Sequence, residues 1–277
     1  MYKILKKQRL NEQVLRMVIN APLIAKKAKA GQFIILRVTD HGERIPLTIA
    51  DYDREKGTIT IIFQEVGKTT IELGTLNEGD NLVDFVGPLG KASHFDESIK
   101  KAAVIGGGLG TAIAYPQAKE LHRRGVEVTS ITGFRNKNLI LLEEELNEIA
   151  DKVIITTDDG SNGNPGFVTN ALQAEIDAGE SYDLVVAIGP LIMMKYVSEL
   201  TKKYNIKTIV SMNPIMIDGT GMCGGCRVTI GGETKFACVD GPDFDGHLVD
   251  YDEAIRRQGM YKHEEGDACN LFKGVKE

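Results

Sequence analysis

The sequence of 277 residues has no tryptophan, 6% aromatic residues and only four cysteines. So few cysteines in a chain of this length do not make the disulfide framework of a small secreted protein. Acidic residues (39) outnumber basic ones (33), and the net charge of −6 argues against a general nucleic-acid binder, which needs a basic surface. No apolar run approaches the ~18 residues that span a bilayer, and the charged start lacks the apolar core of a signal peptide. We therefore expect a cytoplasmic protein of about two domains, with neither nucleic acid nor membrane as partner.

The first 98 residues have the pattern of a β domain. Short apolar runs alternate with turn signals such as Lys56-Gly57, and Gly87-Pro88 breaks the series near its end. Strands at this spacing predict a small antiparallel barrel or sandwich. The predicted strands include residues 14–19, 32–38, 58–63 and 81–86.

Residues 99–210 change to strands that alternate with helices, a pattern that predicts a parallel sheet with crossover helices. The predicted strands are residues 102–105, 126–132, 152–156, 184–188 and 207–210. Residues 211–250 are rich in glycine and cysteine, and we expect a separate lobe there that does not extend the sheet. Residues 251–277 are assigned as a C-terminal tail with a short helix at 251–258.

The most specific signal is the spacing of Asp218, Cys223, Cys226 and Cys238. A plant-type [2Fe–2S] site reads C-x4-C-x2-C followed by a distant cysteine, and here an aspartate occupies the first position. Carboxylate oxygen can ligate iron and carries the same formal charge as a thiolate. Two alternatives remain open: a Cys3His zinc site completed by His247, or Cys269 as the fourth ligand with Asp218 in a turn.

A glycine-rich loop follows the first strand of the α/β region. In residues 106–112, Gly107, Gly108, Gly110 and Thr111 would let a diphosphate approach the start of the next helix. A glycine-rich turn without a ligand is the alternative, because the loop is not strictly G-x-G-x-x-G. Two further strand ends offer contacts to the nucleotide. A nicotinamide can lie at Gly189-Pro190, and the carboxylates of Asp158-Asp159 can accept hydrogen bonds from a ribose or simply cap their loop.

The choice between NAD and NADP stays open on residues alone. Arg135 and Lys137 follow the second strand of the α/β region and would suit a 2′-phosphate, or they are solvated charges, as such residues usually are.

The barrel region contains two motifs that suit a flavin. Arg44 precedes Pro46, Leu47 and Thr48, and an arginine beside such a run can hold a diphosphate and present polar groups to a flavin edge. Gly67, Thr69 and Thr70 form a turn before a short helix, where amides and hydroxyls can meet phosphate. A plain strand and a capped turn remain the alternative.

Taken together and in this order, these motifs resemble the ferredoxin–NADP reductase superfamily. The C-terminal cysteine segment resembles the branch of dihydroorotate dehydrogenase electron-transfer subunits. With an aspartate as first ligand, it is most similar to the small subunits of flavin-based electron-bifurcating NADH-dependent ferredoxin:NADP oxidoreductases. One departure is Ile188, where many superfamily members have cysteine before Gly-Pro, so no thiol there can tune hydride transfer.

The resemblance implies an antiparallel β-barrel FAD domain (1–98), an α/β parallel-sheet NAD domain (99–210) of ferredoxin reductase-like fold, and a small [2Fe–2S] lobe (211–250). Implied flavin contacts are Arg44, Pro46, Leu47, Thr48, Gly67, Thr69 and Thr70. The glycine loop would meet NAD(H), and Asp218 with the three cysteines would ligate the cluster. The resemblance also favours NAD over NADP.

The implied activity is exchange of hydride between NAD(H) and FAD and of single electrons between FAD and the cluster. No side chain is expected to act as a catalytic acid, base or nucleophile. The resemblance also implies a larger flavin and iron–sulfur partner subunit that carries the NADP and ferredoxin sites. The alternatives are the electron-transfer subunit of an NAD-dependent dihydroorotate dehydrogenase and a zinc-stabilised nucleotide-binding regulator.

Overall fold

The computed structural model describes residues 2–274, apart from the side chain at position 273. Its N-terminal part contains the strands β1 (Tyr2–Arg9), β2 (Val14–Asn20), β3 (Phe33–Arg37), β4 (Ile45–Thr48), β5 (Asp51–Asp53), β6 (Thr58–Gln64), β7 (Asn81–Leu82) and β8 (Asp84–Leu89), with helices α1 (Pro22–Ala25) and α2 (Lys68–Thr75). These strands form two antiparallel sheets, with strand orders β5-β6-β2-β1-β7 and β4-β3-β8.

Alternation of apolar and polar residues places the barrel core. In β2, Leu15, Met17 and Ile19 are buried and pack with Ile59 and Phe63 of β6, because successive side chains of a strand point to opposite faces. The strand predicted at 81–86 is wrong as a single element. The chain pairs with β1 at its start and with β3 after Asp84, so it crosses from one sheet to the other.

The second part has a parallel sheet, as the alternating pattern predicts. The elements are β9 (Lys101–Gly107), α3 (Gly110–Arg123), β10 (Glu127–Phe134), α4 (Glu143–Ile149), β11 (Lys152–Thr157), α5 (Val168–Asp177), β12 (Leu184–Ile188), α6 (Leu191–Lys203) and β13 (Lys207–Ser211). The strand order β11-β10-β9-β12-β13 means that the chain runs outward from β9 in one direction and then returns to β12. The switch point of the sheet therefore lies between β9 and β12, where open α/β sheets bind ligands.

The expectation that residues beyond 211 do not extend the sheet is wrong. The strand β16 (Asp243–Asp245) pairs antiparallel with β13 and becomes the edge of a six-stranded sheet. The exposed Asp245 suits an edge, because a charged side chain protects an edge strand from further pairing. Its partner is distant in sequence, so local periodicity gives no sign of it.

The remaining elements lie within the cysteine segment and after it. The hairpin β14 (Arg227–Ile230) and β15 (Glu233–Phe236) turns at Gly231-Gly232, both with positive φ, as a tight two-residue hairpin turn requires. Helix α7 (Tyr251–Gln258) has the predicted bounds, and α8 (Lys262–Gly274) follows it. In the part of the chain that the structure describes, no helix is both long and apolar enough to cross a membrane.

Buried contacts join the parts of the chain. Val14 and Ile62 of the barrel lie in one core with residues of α3 and α4, and Arg16 forms an ion pair with Glu145 across the same boundary. Helix α7 packs on α6 and β14 and buries Tyr251, so it is an integral element rather than a tail.

Candidate functional site

The two elements predicted to bind the nucleotide lie against each other at the switch point. A Cβ on Gly110 would be 2.3 Å from the carbonyl oxygen of Ile188 and 2.7 Å from the Cα of Gly189. A Cβ on Gly189 would be 3.1 Å from the Cα of Gly107. The main chains after β9 and β12 therefore approach as closely as glycine allows, at the carboxyl ends of both strands.

Gly108 and Thr111 have the features of a phosphate cradle. Gly108 has φ of +55°, and a Cβ there would have no atom within 4 Å, so this position faces open space. The hydroxyl of Thr111 is buried and finds no hydrogen-bond partner among the described residues. A donor left unpaired at the start of a 14-residue helix fits an anionic ligand, because that end of a helix carries partial positive charge.

The loops after β10 and β11 contact each other at the same carboxyl-terminal edge of the sheet. The amide of Asp158 donates to the carbonyl of Phe134 (2.9 Å), and the amide of Lys137 donates to the hydroxyl of Ser161 (2.8 Å). Asp159 is used within its own loop, where the hydrogen bond from Ser161 holds the pKa of its carboxyl below the usual range. Asp158 is exposed, as is the nearby Arg135.

The two predicted flavin motifs lie side by side at the barrel. Arg44 directly precedes β4, and Thr69 at the start of α2 donates its hydroxyl to Glu43. Thr70 accepts from the amides of Gly67 (3.0 Å) and Val66 (3.1 Å). Both threonine hydroxyls therefore already have protein partners.

The remaining members of the flavin motif, Pro46, Leu47 and Thr48, form β4 and are half-buried. Each lies opposite a residue of β3, and Pro46 pairs with Ile35. This register places the motif directly beside the strand that the cysteine lobe covers.

The predicted cluster ligands occupy one lobe that packs on the barrel. Cys226 and Cys238 are buried and share a core with Phe33 and Ile35 of β3. The amide of Cys238 points at the sulfur of Cys226 (3.4 Å), while Cys223 is exposed. Burial, and then the hydrogen bond with Cys226, raise the pKa of the Cys238 thiol to about 12.

Asp218 is held in a tight turn. One carboxylate oxygen accepts from the amide of Thr220 and the other from the amide of Cys223, each at 2.9 Å, and these bonds keep the pKa of Asp218 below its usual range. Within residues 2–274, no three His, Cys, Asp or Glu side chains converge on one point as a ready metal centre. The donor set itself, three cysteines and a carboxylate with a main-chain amide aimed at one sulfur, fits an iron–sulfur cluster.

The two alternative ligands lie elsewhere. The Nε2 of His247 is 3.0 Å from the hydroxyl of Thr201 on α6, so its side chain belongs to a network on the parallel sheet. Cys269 lies on α8, which packs against α2. Neither side chain joins the buried pair Cys226 and Cys238.

Two arginines beside the cluster loop were not found from the sequence. Arg227 donates to the carbonyl of Gly224 and Arg257 to the carbonyl of Gly225, both at 3.2 Å. Contacts from a side chain to a main-chain carbonyl leave no motif. A usable signal for Arg257 was its place in the last turn of the helix that follows the cysteine segment.

A profile of the iron–sulfur cluster binding domain of dihydroorotate dehydrogenase B matches residues 213–250. A Clostridium beijerinckii protein, named only as an uncharacterized protein in the adh 3′ region, is 56% identical over 97% of this chain and 93% of its own. A dihydroorotate dehydrogenase B (NAD(+)) electron transfer subunit homolog of Thermotoga maritima is 44% identical over 98% of this chain and 95% of its own.

Among solved structures, a chain of the NADH-dependent reduced ferredoxin-NADP oxidoreductase, studied for flavin-based electron bifurcation, superimposes with a TM-score of 0.93. It is 42% identical, and the match covers 98% of each chain. These findings confirm the resemblance and the fold class predicted from the motifs. The chain belongs to the family of dihydroorotate dehydrogenase B electron transfer subunits and their homologues, oxidoreductase components with a ferredoxin reductase-like fold.

Proposed function

We propose that this chain is the NAD-linked electron-transfer subunit of a flavin-based electron-bifurcating NADH-dependent ferredoxin:NADP oxidoreductase. Its bound groups are FAD, one [2Fe–2S] cluster and, transiently, NAD(H); they supply hydride exchange at the nicotinamide and one-electron exchange at the cluster. The observation that carries the proposal is the packing of the cysteine lobe on β3, the direct neighbour of the strand with the flavin motif.

The nucleotide would be held by the loop after β9. Gly107, Gly108 and Gly110 admit the diphosphate to the start of α3, and Thr111 brings an unpaired donor. Gly189 and Pro190 would form the wall beside the nicotinamide, where Ile188 keeps its side chain buried. Of the acidic pair, Asp158 is free to meet a ribose, because Asp159 is already bonded within its loop.

The flavin would be held mainly by Arg44 and β4. The guanidinium has five N–H donors, of which the structure uses one, so the others are available to a diphosphate. Thr69 and Thr70 would have to exchange their present partners to contact phosphate. Gly67 brings the turn that lets α2 begin at this point.

The cluster would be ligated by Asp218, Cys223, Cys226 and Cys238. Asp218 is a carboxylate at neutral pH, as an ordinary aspartate is, and can therefore act as a ligand. Loading requires the exposed Cys223 and the half-buried Asp218 to turn toward the buried pair of cysteines.

We further propose a larger flavin and iron–sulfur subunit as partner, with the NADP and ferredoxin sites. In support, apolar side chains lie exposed around the ligand loop: Ile217 is 53%, Met222 89% and Val239 38% exposed. An apolar rim around a redox centre is suited to a protein partner.

A second candidate is the electron-transfer subunit of an NAD-dependent dihydroorotate dehydrogenase, which the name of the Thermotoga maritima relative favours. The two candidates share their cofactors and differ in the partner. Asp218 as first ligand favours the bifurcating enzyme, since the resemblance assigns that residue to it.

One purification tests both. The untagged complex is isolated without oxygen, the co-purifying subunit is identified by mass spectrometry, and flavin and iron are counted from the absorption spectrum and by chemical assay. A flavin and iron–sulfur partner, with NADH bleaching the flavin band, supports the proposal. A partner that oxidises dihydroorotate would favour the second candidate, and a colourless complex would exclude both.

A further inference from the structure

We propose that Arg44 has a second role beyond holding FAD: it ties the flavin site to the cluster ligand loop, so that flavin binding and cluster retention stabilise each other. This inference rests on the proposed function, because it assumes that both groups bind.

The geometry places one side chain between the two sites. The Nε of Arg44 donates to the carbonyl of Ile217 at 3.0 Å, and Ile217 directly precedes the predicted ligand Asp218. The guanidinium is a planar fork. With Nε fixed by the loop, its two terminal nitrogens keep a defined direction for a diphosphate.

The ligand loop needs this bond because its side chain at position 217 gives little anchorage. Ile217 is 53% exposed, whereas its neighbour Met216 is buried. On the other side of Asp218, Gly219 has φ of +77° and lies so close to β3 and β8 that a Cβ would be 2.7 Å from Ile35 and 2.8 Å from Leu89. Asp218 is thus held between a packed glycine and a carbonyl whose partner is Arg44.

Other arginines support the loop but do not touch the flavin motif. Arg227 and Arg257 donate to Gly224 and Gly225, on the far side of Cys223, from β14 and α7. Of the three arginines bonded to loop carbonyls in the described residues, Arg44 alone belongs to the barrel motif. Arg257 is therefore a matched control, since its removal loosens the same loop without altering the flavin site.

Coupling of this kind is reciprocal: if the cluster raises the affinity for FAD by some factor, FAD raises the retention of the cluster by the same factor. A solvent-exposed hydrogen bond contributes less than a buried one from the same charged donor. We expect a factor of about five, equivalent to about 1 kcal/mol.

The test is a binding cycle on the full chain. The dissociation constant of FAD is measured by flavin fluorescence with the cluster present and after its removal by a chelator, in the wild type, Arg44→Lys and Arg257→Gln. We expect a ratio of about five in the wild type and in Arg257→Gln, and a ratio near one in Arg44→Lys, because a single ammonium cannot serve both partners. Equal ratios in wild type and Arg44→Lys would overturn the inference.

A second measurement separates the two roles of Arg44. In deflavinated protein, the rate at which a chelator bleaches the cluster should be several-fold higher in Arg44→Gln than in the wild type. If Arg44 only holds FAD, the two rates will be equal once FAD is gone. A protein that binds neither FAD nor iron would instead refute the proposed function, so the two failures are distinguishable.

Discussion

The variants Gly108→Ala and Gly110→Ala should distinguish a steric clash with the bound nucleotide from a steric clash within the protein. A methyl group on Gly110 would lie 2.3 Å from the Ile188 carbonyl oxygen, against about 3.3 Å for an ordinary C···O contact. The backbone after β12 must therefore move by about 1 Å, an overpacking that costs roughly 1–3 kcal/mol. At Gly108 the methyl meets no protein atom within 4 Å, and the cost is that of a left-handed backbone, roughly 1–2 kcal/mol.

NADH affinity should show the opposite order, with the larger loss in Gly108→Ala. The added methyl group at position 108 would project into the space that we assign to the diphosphate, so this variant should bind NADH about tenfold or more weakly, equivalent to about 1.4 kcal/mol. Gly110→Ala should lower the denaturation midpoint more than Gly108→Ala does. The assay is urea unfolding of the nucleotide-free protein, with NADH titrated separately into each folded variant.

Flavin content serves as the internal control, because neither glycine contacts the barrel motif. NADH affinity in Gly108→Ala equal to that of the wild type would refute the placement of the diphosphate. A Gly110→Ala protein as stable as the wild type would refute the reasoning from close approach.

Three further predictions concern the lobe and its junction with the sheet. Burial raises the pKa of Asp243 above its ordinary 3.8; the folded state then binds a proton that the unfolded state has lost, so wild-type stability falls as pH rises through that window. Asp243→Asn should remove this dependence and gain stability relative to the wild type at higher pH, since a neutral amide has no charge to bury; urea midpoints across pH test this, and parallel pH profiles would contradict it. Asp218→Ala should lose most of its iron while Cys269→Ser keeps it, as an iron assay would show, and the reverse result would transfer the ligand role to Cys269. Gly219→Ala should also lose cluster, because its methyl would overlap two barrel side chains; unchanged visible circular dichroism would count against that packing.

Strands with continuous apolar runs were predictable because the signal is local. The strand at Leu184–Ile188 is buried at every residue, as parallel strands covered on both faces are, and its predicted bounds match. The run at 81–86 looks equally regular, yet the chain changes sheets at Val83. Alternation fixes which face a residue points to, and it does not fix which sheet the strand joins.

The structure around the cluster depends on contacts between distant segments. Asp243 accepts hydrogen bonds from Ser93 (2.6 Å) and from Gln117 (3.2 Å), which bring together the lobe, the segment after the barrel and helix α3. None of these residues has a spacing pattern that marks it, whereas the four predicted ligands follow one. Motif reasoning therefore predicts which groups would meet a cofactor and misses those that hold them in position.

These contacts also determine how the flavin motif and the ligand loop are placed relative to each other. The lobe shares a buried core with β3, the barrel shares another with α3 and α4, and Asp243 connects the lobe to α3. Each pair of parts is thus joined directly, so rotating one part would break contacts with both others. A close-packed interior resists such movement because it has few alternative arrangements of similar energy. The relative placement of the flavin motif and the ligand loop is accordingly a property of the folded chain itself, and Arg44, which reaches from one to the other, acts within a frame that is already fixed.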